Sequence, residues 1–251
     1  MSSKPSSTEP RSACVFCGTV GKELYDGLED RLFGVPGRWR MVCCENPVCG
    51  LLWLDPMPVE TDFPKTYWNY YTHGNRGGAA ALRIGSLYRS LLGRSRLGRQ
   101  RARLEALCLS DRPVGSVLDV GCGDGAALAM LRQRGWSVLG QELDSAAARR
   151  ARQVHQVDVH LGPLETLLEN GRRFDAVTMN HVIEHVVDPV ATLRTCAALM
   201  KGGGVLVCIT PNVASFGHRR FGRCWRGLEP PRHLHLFGPS SMHRLAEAAG
   251  L

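Results

Sequence analysis

The sequence predicts an α/β fold, a parallel sheet with flanking helices, joined to a small N-terminal module that carries cysteines. Three observations predict it. From residue 113 onward, short apolar runs alternate with helical patterns, as consecutive βαβ units require. A glycine turn, Gly121-Cys122-Gly123-Asp124-Gly125, lies between the first such run and the first helix. Cys14-x-x-Cys17, followed by Cys44 and Cys49, is a metal-ligand spacing confined to residues 13–56. The length of 251 residues suits one medium domain plus a smaller module, and an apolar share of 44% is ordinary for a chain that buries a core.

In chain order, residues 1–12 are polar, rich in Ser and Pro, and lack an apolar h-region. They read as a disordered tail rather than a signal peptide. Residues 13–56 hold five of the ten cysteines. Residues 57–110 are aromatic at first (Tyr67, Trp68, Tyr70, Tyr71) and then basic and helical, with Ile84, Leu87, Tyr88, Leu91 and Leu92 on one face. They read as a linker or lid. Residues 111–251 form the main domain. Its strands are expected at Val117–Val120, Ser137–Glu142, Val157–Leu161, Phe174–Met179 and Val205–Ile209. Helices are expected at Ala126–Arg134 with Gly135 ending it, at Ser145–Val154 with Ser145 as its cap, at Pro189–Met200, and at Pro239–Ala249.

Composition narrows the function classes. No stretch of about 18 apolar residues exists, so no membrane span is expected. A cytoplasmic setting follows from the absence of a secretory signal, and there thiols stay reduced. The cysteines then read as metal ligands or packing residues rather than as a disulfide framework. The net charge is +8, and Arg83, Arg89, Arg94, Arg96, Arg99, Arg101 and Arg103 crowd one segment. That segment is either a solvated helix face or a surface for an acidic partner: a nucleotide-linked substrate, nucleic acid, or a membrane surface.

The glycine turn allows the backbone to bend tightly and approach a ligand, and no Lys-Ser/Thr pair follows it, which excludes a phosphate-gripping P-loop. The second strand ends in Glu142, about 20 residues on, where a carboxylate can accept from both ribose hydroxyls. The pair of features gives a Rossmann-like, nucleoside-binding reading that NAD would also satisfy.

The order and spacing of several segments narrow this further. They are Val117-Leu-Asp-Val-Gly-Cys-Gly-Asp-Gly125, Leu139-Gly-Gln-Glu-Leu143, Phe174-Asp-Ala-Val177, His181-Val-Ile-Glu-His-Val-Val-Asp-Pro189, Leu199-Met-Lys-Gly-Gly-Gly204 and Thr210-Pro-Asn212. Together they resemble the class I S-adenosylmethionine-dependent methyltransferases. The resemblance implies that Asp119, Gly121 and Gly123 line the methionine end of the cofactor and that Glu142 holds the ribose. It places Gly162, Pro163 and Leu164 near the adenine, with Asn180 and His181 facing the sulfonium. Gly202 stands where a proline is common in the turn before strand five.

Methyl transfer is an in-line displacement at an activated carbon, so the enzyme must align the nucleophile and exclude water. A hydroxyl or carbon nucleophile must also lose a proton, which calls for a general base. His181, Glu184 and His185 follow strand four, where open α/β sheets place their ligands, and His181 is the first choice of base. Glu184 and His185 also have a structural reading. His233, in Pro230-Pro-Arg-His-Leu-His-Leu-Phe237, belongs to a stretch that resembles relatives acting on sugars or polysaccharide precursors. His181, Glu184, His185 and His233 also have the donor types of a divalent-metal site. His181 then takes the place of the first Glu in the Glu-x-x-Glu-His motif of some O-methyltransferases. Tyr70-Tyr-Thr-His73 reads either as a lid contact or as an aromatic patch on the core.

Cys14, Cys17, Cys44 and Cys49 are expected to hold structural Zn2+ in a zinc-ribbon-like module, with Cys43 as the alternative to Cys44 and with Gly18 and Gly50 following their knuckles. The combination resembles bacterial methyltransferases of sugar and secondary-metabolite pathways and implies methylation of a small-molecule acceptor. Two other readings stand beside it. One is an RNA methyltransferase that uses the zinc module and the arginines, recognisable by steeply salt-dependent RNA binding. The other is a non-catalytic binding module. The sequence stops at Leu251, where the family continues with two C-terminal strands. The expectation is therefore a five-stranded sheet whose fifth strand is an open edge, either because the chain is a fragment or because a partner, such as a second copy in a homo-oligomer, covers it.

Overall fold

The structure, a computed structural model, describes residues 8–59 and 107–251. The aromatic stretch around Tyr70 and His73 and the arginine-rich segment fall outside the described residues. The chain divides into two compact units that do not follow sequence order. The first comprises the described N-terminal residues with His181–Ala198 and Cys208–Leu251. The second comprises the described part of Tyr71–Asn180 with Leu199–Val207.

In the first unit, β1 (Thr8–Glu9) pairs antiparallel with β5 (Met57–Pro58). β2 (Gly21–Leu28), β3 (Trp39–Cys44) and β4 (Leu52–Asp55) form an antiparallel meander. A fourth strand arrives from the far end of the chain: β11 (His235–Leu236) pairs with β4, giving the order β11-β4-β3-β2. Trp39, Met41, Trp53 and Leu54 are buried along these strands. Gly21 is required where β2 begins, because a Cβ there would run into the Trp53 ring and Val42. Residues 8–12, expected in the disordered tail, are tied down. The Arg11 amide donates to Asp55 (2.8 Å), the Arg11 carbonyl accepts from the Trp53 indole (2.8 Å), and the Ser12 carbonyl accepts from Gly21.

The second unit is the doubly wound part. Its elements are β6 (Ser116–Val120), α1 (Ala126–Gln133), β7 (Ser137–Glu142), α2 (Ser145–Val154), β8 (Val159–Leu161), α3 (Thr166–Glu169), β9 (Phe174–Asn180) and β10 (Met200–Ile209), whose last residues belong to the first unit. The sheet order is β10-β9-β6-β7-β8, and β6 lies parallel to both β7 and β9. The central strands read Val117-Leu118 and Ala176-Val177 because both faces are covered, and all four residues are inaccessible to solvent. The predicted α/β, Rossmann-like class is the one found, with five strands and β10 at an edge.

Several details differ from the sequence reading: the third strand of this unit begins at Val159 rather than Val157, and the short helix Thr166–Glu169 was not expected. Asp144, not Ser145, caps α2: its side chain accepts from the Ala146 amide at 2.9 Å, while Ser145 is already helical. The helix begun at Pro189, α4 (Pro189–Ala198), stops two residues early, and Met200 to Gly204 belong to β10 rather than to a turn before it. Gly203, at φ +78°, supplies the left-handed residue inside that strand. After β10 come α5 (Phe216–Phe221) and α6 (Pro239–Ala249), and α6 packs on α4.

Candidate active site

The glycine turn after β6 is built as a ligand cradle. Gly121, Gly123 and Gly125 all have positive φ, at +64°, +57° and +78°. Gly125 is fixed for a second reason, since a Cβ there would sit 2.9 Å from the Ala151 Cβ and push α2 away. At Gly123 a Cβ would meet nothing within 4 Å, so that side of the turn is open. Glu142, at the end of β7, reaches back to the turn. Its Oε2 accepts from the Gly123 amide (2.8 Å), and its Oε1 from the Leu143 and Asp144 amides (2.8 and 2.9 Å). The carboxylate is thus held in one orientation while half-exposed. Beneath the turn, Asp119 is buried and accepts from the Thr178 hydroxyl at 2.6 Å. Burial, reinforced by the charge of Glu142 and opposed by that hydroxyl, pushes its carboxyl up to about 7. Gln141 is the hidden tie, accepting from the Gly121 amide (3.2 Å) and donating to the Gly162 carbonyl (2.7 Å). These groups fit the methionine and ribose of S-adenosylmethionine: an open glycine turn, a presented carboxylate and a second acid behind it.

The other predicted cofactor positions differ in character. Gly162 has φ +144° and donates to the Glu142 carbonyl at 3.1 Å, and Asn180 ends β9 exposed. Leu164 is almost fully buried, so it contributes packing beneath the loop.

In the first unit, the histidine cluster forms around a short turn, Ile183–His185. His181 has φ +56°, an unusual state for a non-glycine residue, and its amide is held by the Ile209 carbonyl at 2.8 Å. Its Nδ1–H donates to Glu184 Oε1 at 3.0 Å, while the ring remains more than half exposed. Glu184 is wholly buried, and its second oxygen accepts from the Thr210 hydroxyl at 2.9 Å. Burial raises the carboxyl, but the His181 hydrogen bond, with His185 and His233, outweighs it and leaves Glu184 below the ordinary value. The same hydrogen bond raises His181 against the opposing effect of burial. The pair has the geometry by which a carboxylate orients an imidazole.

His185 and His233 are of another kind. Their rings meet edge-on, with centroids 4.7 Å apart. Each spends its Nδ1–H on a main-chain carbonyl, His185 on Arg232 (3.0 Å) and His233 on Gly227 (2.7 Å). Burial lowers both, helped at His185 by the neighbouring His233, which takes it to about 4, and at His233 by the charges of His181 and Arg232, so they stand neutral at pH 7. Ligand atoms of Glu184, His185 and His233 lie within 4.8 Å of one another, but His181 is outside that group and the carboxylate is already engaged by His181 and Thr210.

The cysteine cluster is compact. The Sγ atoms of Cys14 and Cys49 are 3.7 Å apart and those of Cys17 and Cys44 are 3.4 Å apart, with all four within 4.8 Å. Sulfurs at the corners of a tetrahedron with Zn–S bonds of about 2.3 Å stand about 3.8 Å apart, so the donor set fits Zn2+. Gly18 and Gly50, at φ +67° and +62°, make the two knuckle turns. Cys43 points elsewhere, with its thiol directed at the Cys44 carbonyl, so β3 itself chooses Cys44.

A family model described as a methyltransferase domain matches residues 92–251, more than half of the chain. The chain belongs to the methyltransferase-domain family. Curated relatives include ubiquinone biosynthesis O-methyltransferases from Dinoroseobacter shibae, 31% identical over 54% of this chain and 59% of the relative, and from Nitrosomonas europaea, 33% identical over 54% of this chain and 63% of the relative. The chain thus spans about three fifths of the length of the curated relatives it matches. Among solved structures, a SAM dependent methyltransferase from Archaeoglobus fulgidus is 23% identical, with a TM-score of 0.49 over 64% of this chain and 68% of that one.

S-adenosylmethionine is the cofactor that goes with this methyltransferase family. The structure links Gly121 and Gly162 through Gln141, Gly123 and Gly162 to Glu142, and separately holds Asp119 by Thr178; the sequence singled out neither Gln141 nor Thr178. It brings His181, Glu184, His185 and His233 together in the other unit, with Thr210 as an unforeseen partner. Thr210 stands in a motif already noted, Thr210-Pro-Asn212, and that was its one available signal.

Proposed function

We propose that this protein transfers the methyl group of S-adenosylmethionine to a hydroxyl of a small-molecule acceptor, with His181 as general base and Glu184 as its orienting carboxylate. The observation that carries this reading is the His181–Glu184 pair, placed directly after Asn180, the last residue of β9. When bound, the cofactor supplies a methyl carbon already activated by its sulfonium. His181 Nε2 takes the acceptor's proton, the acceptor oxygen bonds to the methyl carbon, and the carbon–sulfur pair stays on sulfur. Glu184 keeps the His181 tautomer and stabilises the imidazolium that forms. Glu142 holds the ribose hydroxyls, and Asp119 with Gly121 and Gly123 receives the methionine end.

Oxygen as the methylated atom is supported by the names of the relatives and by the presence of a histidine base, which a hydroxyl needs. A sugar or polysaccharide precursor, expected from the Pro230–Phe237 stretch, satisfies it, and so does an acceptor of the kind used in ubiquinone biosynthesis, the process for which the relatives are named. Cys14, Cys17, Cys44 and Cys49 would hold Zn2+ for folding and take no part in the transfer.

The test has two readouts. Calorimetric titration with S-adenosylhomocysteine should give saturable binding, and a panel of hydroxyl acceptors should release S-adenosylhomocysteine from S-adenosylmethionine. His181→Gln should keep the binding and lose the release. Absence of binding by the folded, zinc-loaded protein would sink the reading.

A further inference from the structure

A buried charged pair in the first unit has no part in the chemistry proposed above. Arg232 is fully buried, and its guanidinium makes a two-pronged contact with Asp30: Nη1 to Oδ2 and Nη2 to Oδ1, both at 2.8 Å. Its Nε donates to Glu229 at 3.2 Å, and its plane lies over the Phe33 ring, 4.4 Å from the centroid. Asp30 also gathers the amides of Leu32, Phe33 and Val35 at 3.0–3.1 Å, so the loop between β2 and β3 is wound around one carboxylate.

Such a pair is an expensive way to gain stability, because both charges lose their water, and apolar residues of the same volume usually serve as well. What an apolar pair cannot do is fix direction. The backbone around Arg232 is where direction matters. The Arg232 carbonyl receives the His185 Nδ1–H, the next residue is His233, and the Leu234 amide donates to the Glu184 carbonyl at 2.8 Å. Glu229, which the Arg232 side chain also grips, sits in a left-handed conformation at φ +32° and accepts from the amides of Arg232 and His233. The segment is therefore strained and is held in place by its side-chain anchor.

We infer that Asp30 and Arg232 are positioning residues for the histidine site: the buried pair fixes the main chain that sets the ring orientation and tautomer of His185 and His233. Nothing in the expected chemistry assigned a role to the N-terminal loop, and this gives it one. The inference rests on the reading of the histidine cluster as the acceptor-side site, but its first readout does not depend on turnover.

The experiment uses full-length protein with ring-15N histidine, comparing wild type with Arg232→Lys and Asp30→Asn. In wild type, His185 and His233 should each show one protonated Nδ1 and one unprotonated Nε2 at pH 7.5, assigned with His185→Gln and His233→Gln. In both variants the two ring-nitrogen signals of His185 should converge, as interconverting tautomers do, with S-adenosylhomocysteine affinity unchanged within twofold. With an acceptor in hand, kcat should fall at least tenfold at constant KM for S-adenosylmethionine. A fixed His185 tautomer in both variants would overturn the inference, and so would loss of folding in both, which would make the pair a stability element. Converged signals in an enzyme whose wild type transfers no methyl would leave the positioning intact and sink the base reading instead.

Discussion

Asp119 offers the sharpest test of the cradle. It lies on β6 with 4% of its surface exposed and one strong hydrogen bond, from Thr178. Burial holds its carboxyl protonated up to about 7 in the folded chain. In the unfolded chain the same group gives up its proton near 3.9. The folded state therefore keeps a proton that the unfolded state has lost, and stability falls as pH rises from about 4 to about 7. At roughly 1.4 kcal/mol per pH unit the loss has an upper bound of about 4 kcal/mol. Asp119→Asn keeps an oxygen for Thr178 and removes the titration. Wild type and variant should match in stability near pH 3, below both values, and the variant should be the more stable by about 2–4 kcal/mol at pH 8 in urea unfolding, where the other titrating groups cancel in the difference. A second measurement follows from the same group. An ammonium beside Asp119 favours the carboxylate, so S-adenosylhomocysteine binding at pH 6 should release up to one proton. Calorimetry in two buffers of different ionisation heat would detect it in wild type and not in the variant. Stability curves that run parallel from pH 4.5 to 8 would mean that Asp119 is ionised in the folded protein, and both halves of the reasoning would fail.

Glu142→Gln puts an amide NH2 against one of the three backbone amides that the carboxylate now receives. Losing a charged acceptor for the ribose should weaken S-adenosylhomocysteine binding by about 1.5–3 kcal/mol, or roughly 10- to 150-fold by calorimetry, and a change under twofold would remove Glu142 from the cofactor site. Cys44→Ser should abolish stoichiometric zinc by elemental analysis while Cys43→Ser retains it, since only Cys44 turns its sulfur to Cys17; the reverse result would reassign the ligand. Glu184 holds His181 above its ordinary value of 6.5, so turnover should rise with pH through that raised value as the ring loses its proton, and Glu184→Gln should move the rise to lower pH; a profile that stays put in the variant would separate the two residues.

Elements defined by local chemistry were legible in the sequence. Ser137–Glu142, Ser145–Val154 and Pro239–Ala249 have the bounds their patterns imply, because apolar periodicity and nearby glycines mark them. The β10 boundary was not, since three consecutive glycines read as a turn, whereas the strand runs through them with one left-handed residue at Gly203. The acids and glycines of the cradle were legible as a motif, but the groups that hold them were not. Thr178 stands 59 residues from Asp119, and Arg232 stands 202 residues from Asp30. No spacing rule reaches across such separations, and β11 could be paired with β4 only by folding the chain. The choice between Cys43 and Cys44 is of the same kind: alternation puts adjacent strand residues on opposite faces, but which face meets Cys17 depends on the partner strand.

The way the chain is shared between its units leads to one more expectation. The proposed cofactor cradle is completed within a single unit: the turn after β6, the residues after β7, the loop after β8 and Thr178 on β9 supply every hydrogen bond to Glu142 and Asp119 described above. The histidine cluster belongs to the unit that also contains the cysteines. There the β2–β3 hairpin has Gly21 paired with Cys44 at one end and Leu28 paired with Trp39 at the other, from which the Asp30 loop runs to Arg232. β4, beside β3, pairs with His235 and Leu236 just beyond His233. Loosening the cysteine end should therefore propagate along two strands to the histidines and leave the cradle as it is. Removing zinc with a chelator should reduce methyl transfer by at least tenfold while S-adenosylhomocysteine affinity changes less than threefold, and zinc should restore the rate. If affinity and rate fell together, the two functions would share one cooperative structure. If neither changed, the cysteines would be irrelevant to the histidine site, and Asp30 and Arg232 would hold it unaided.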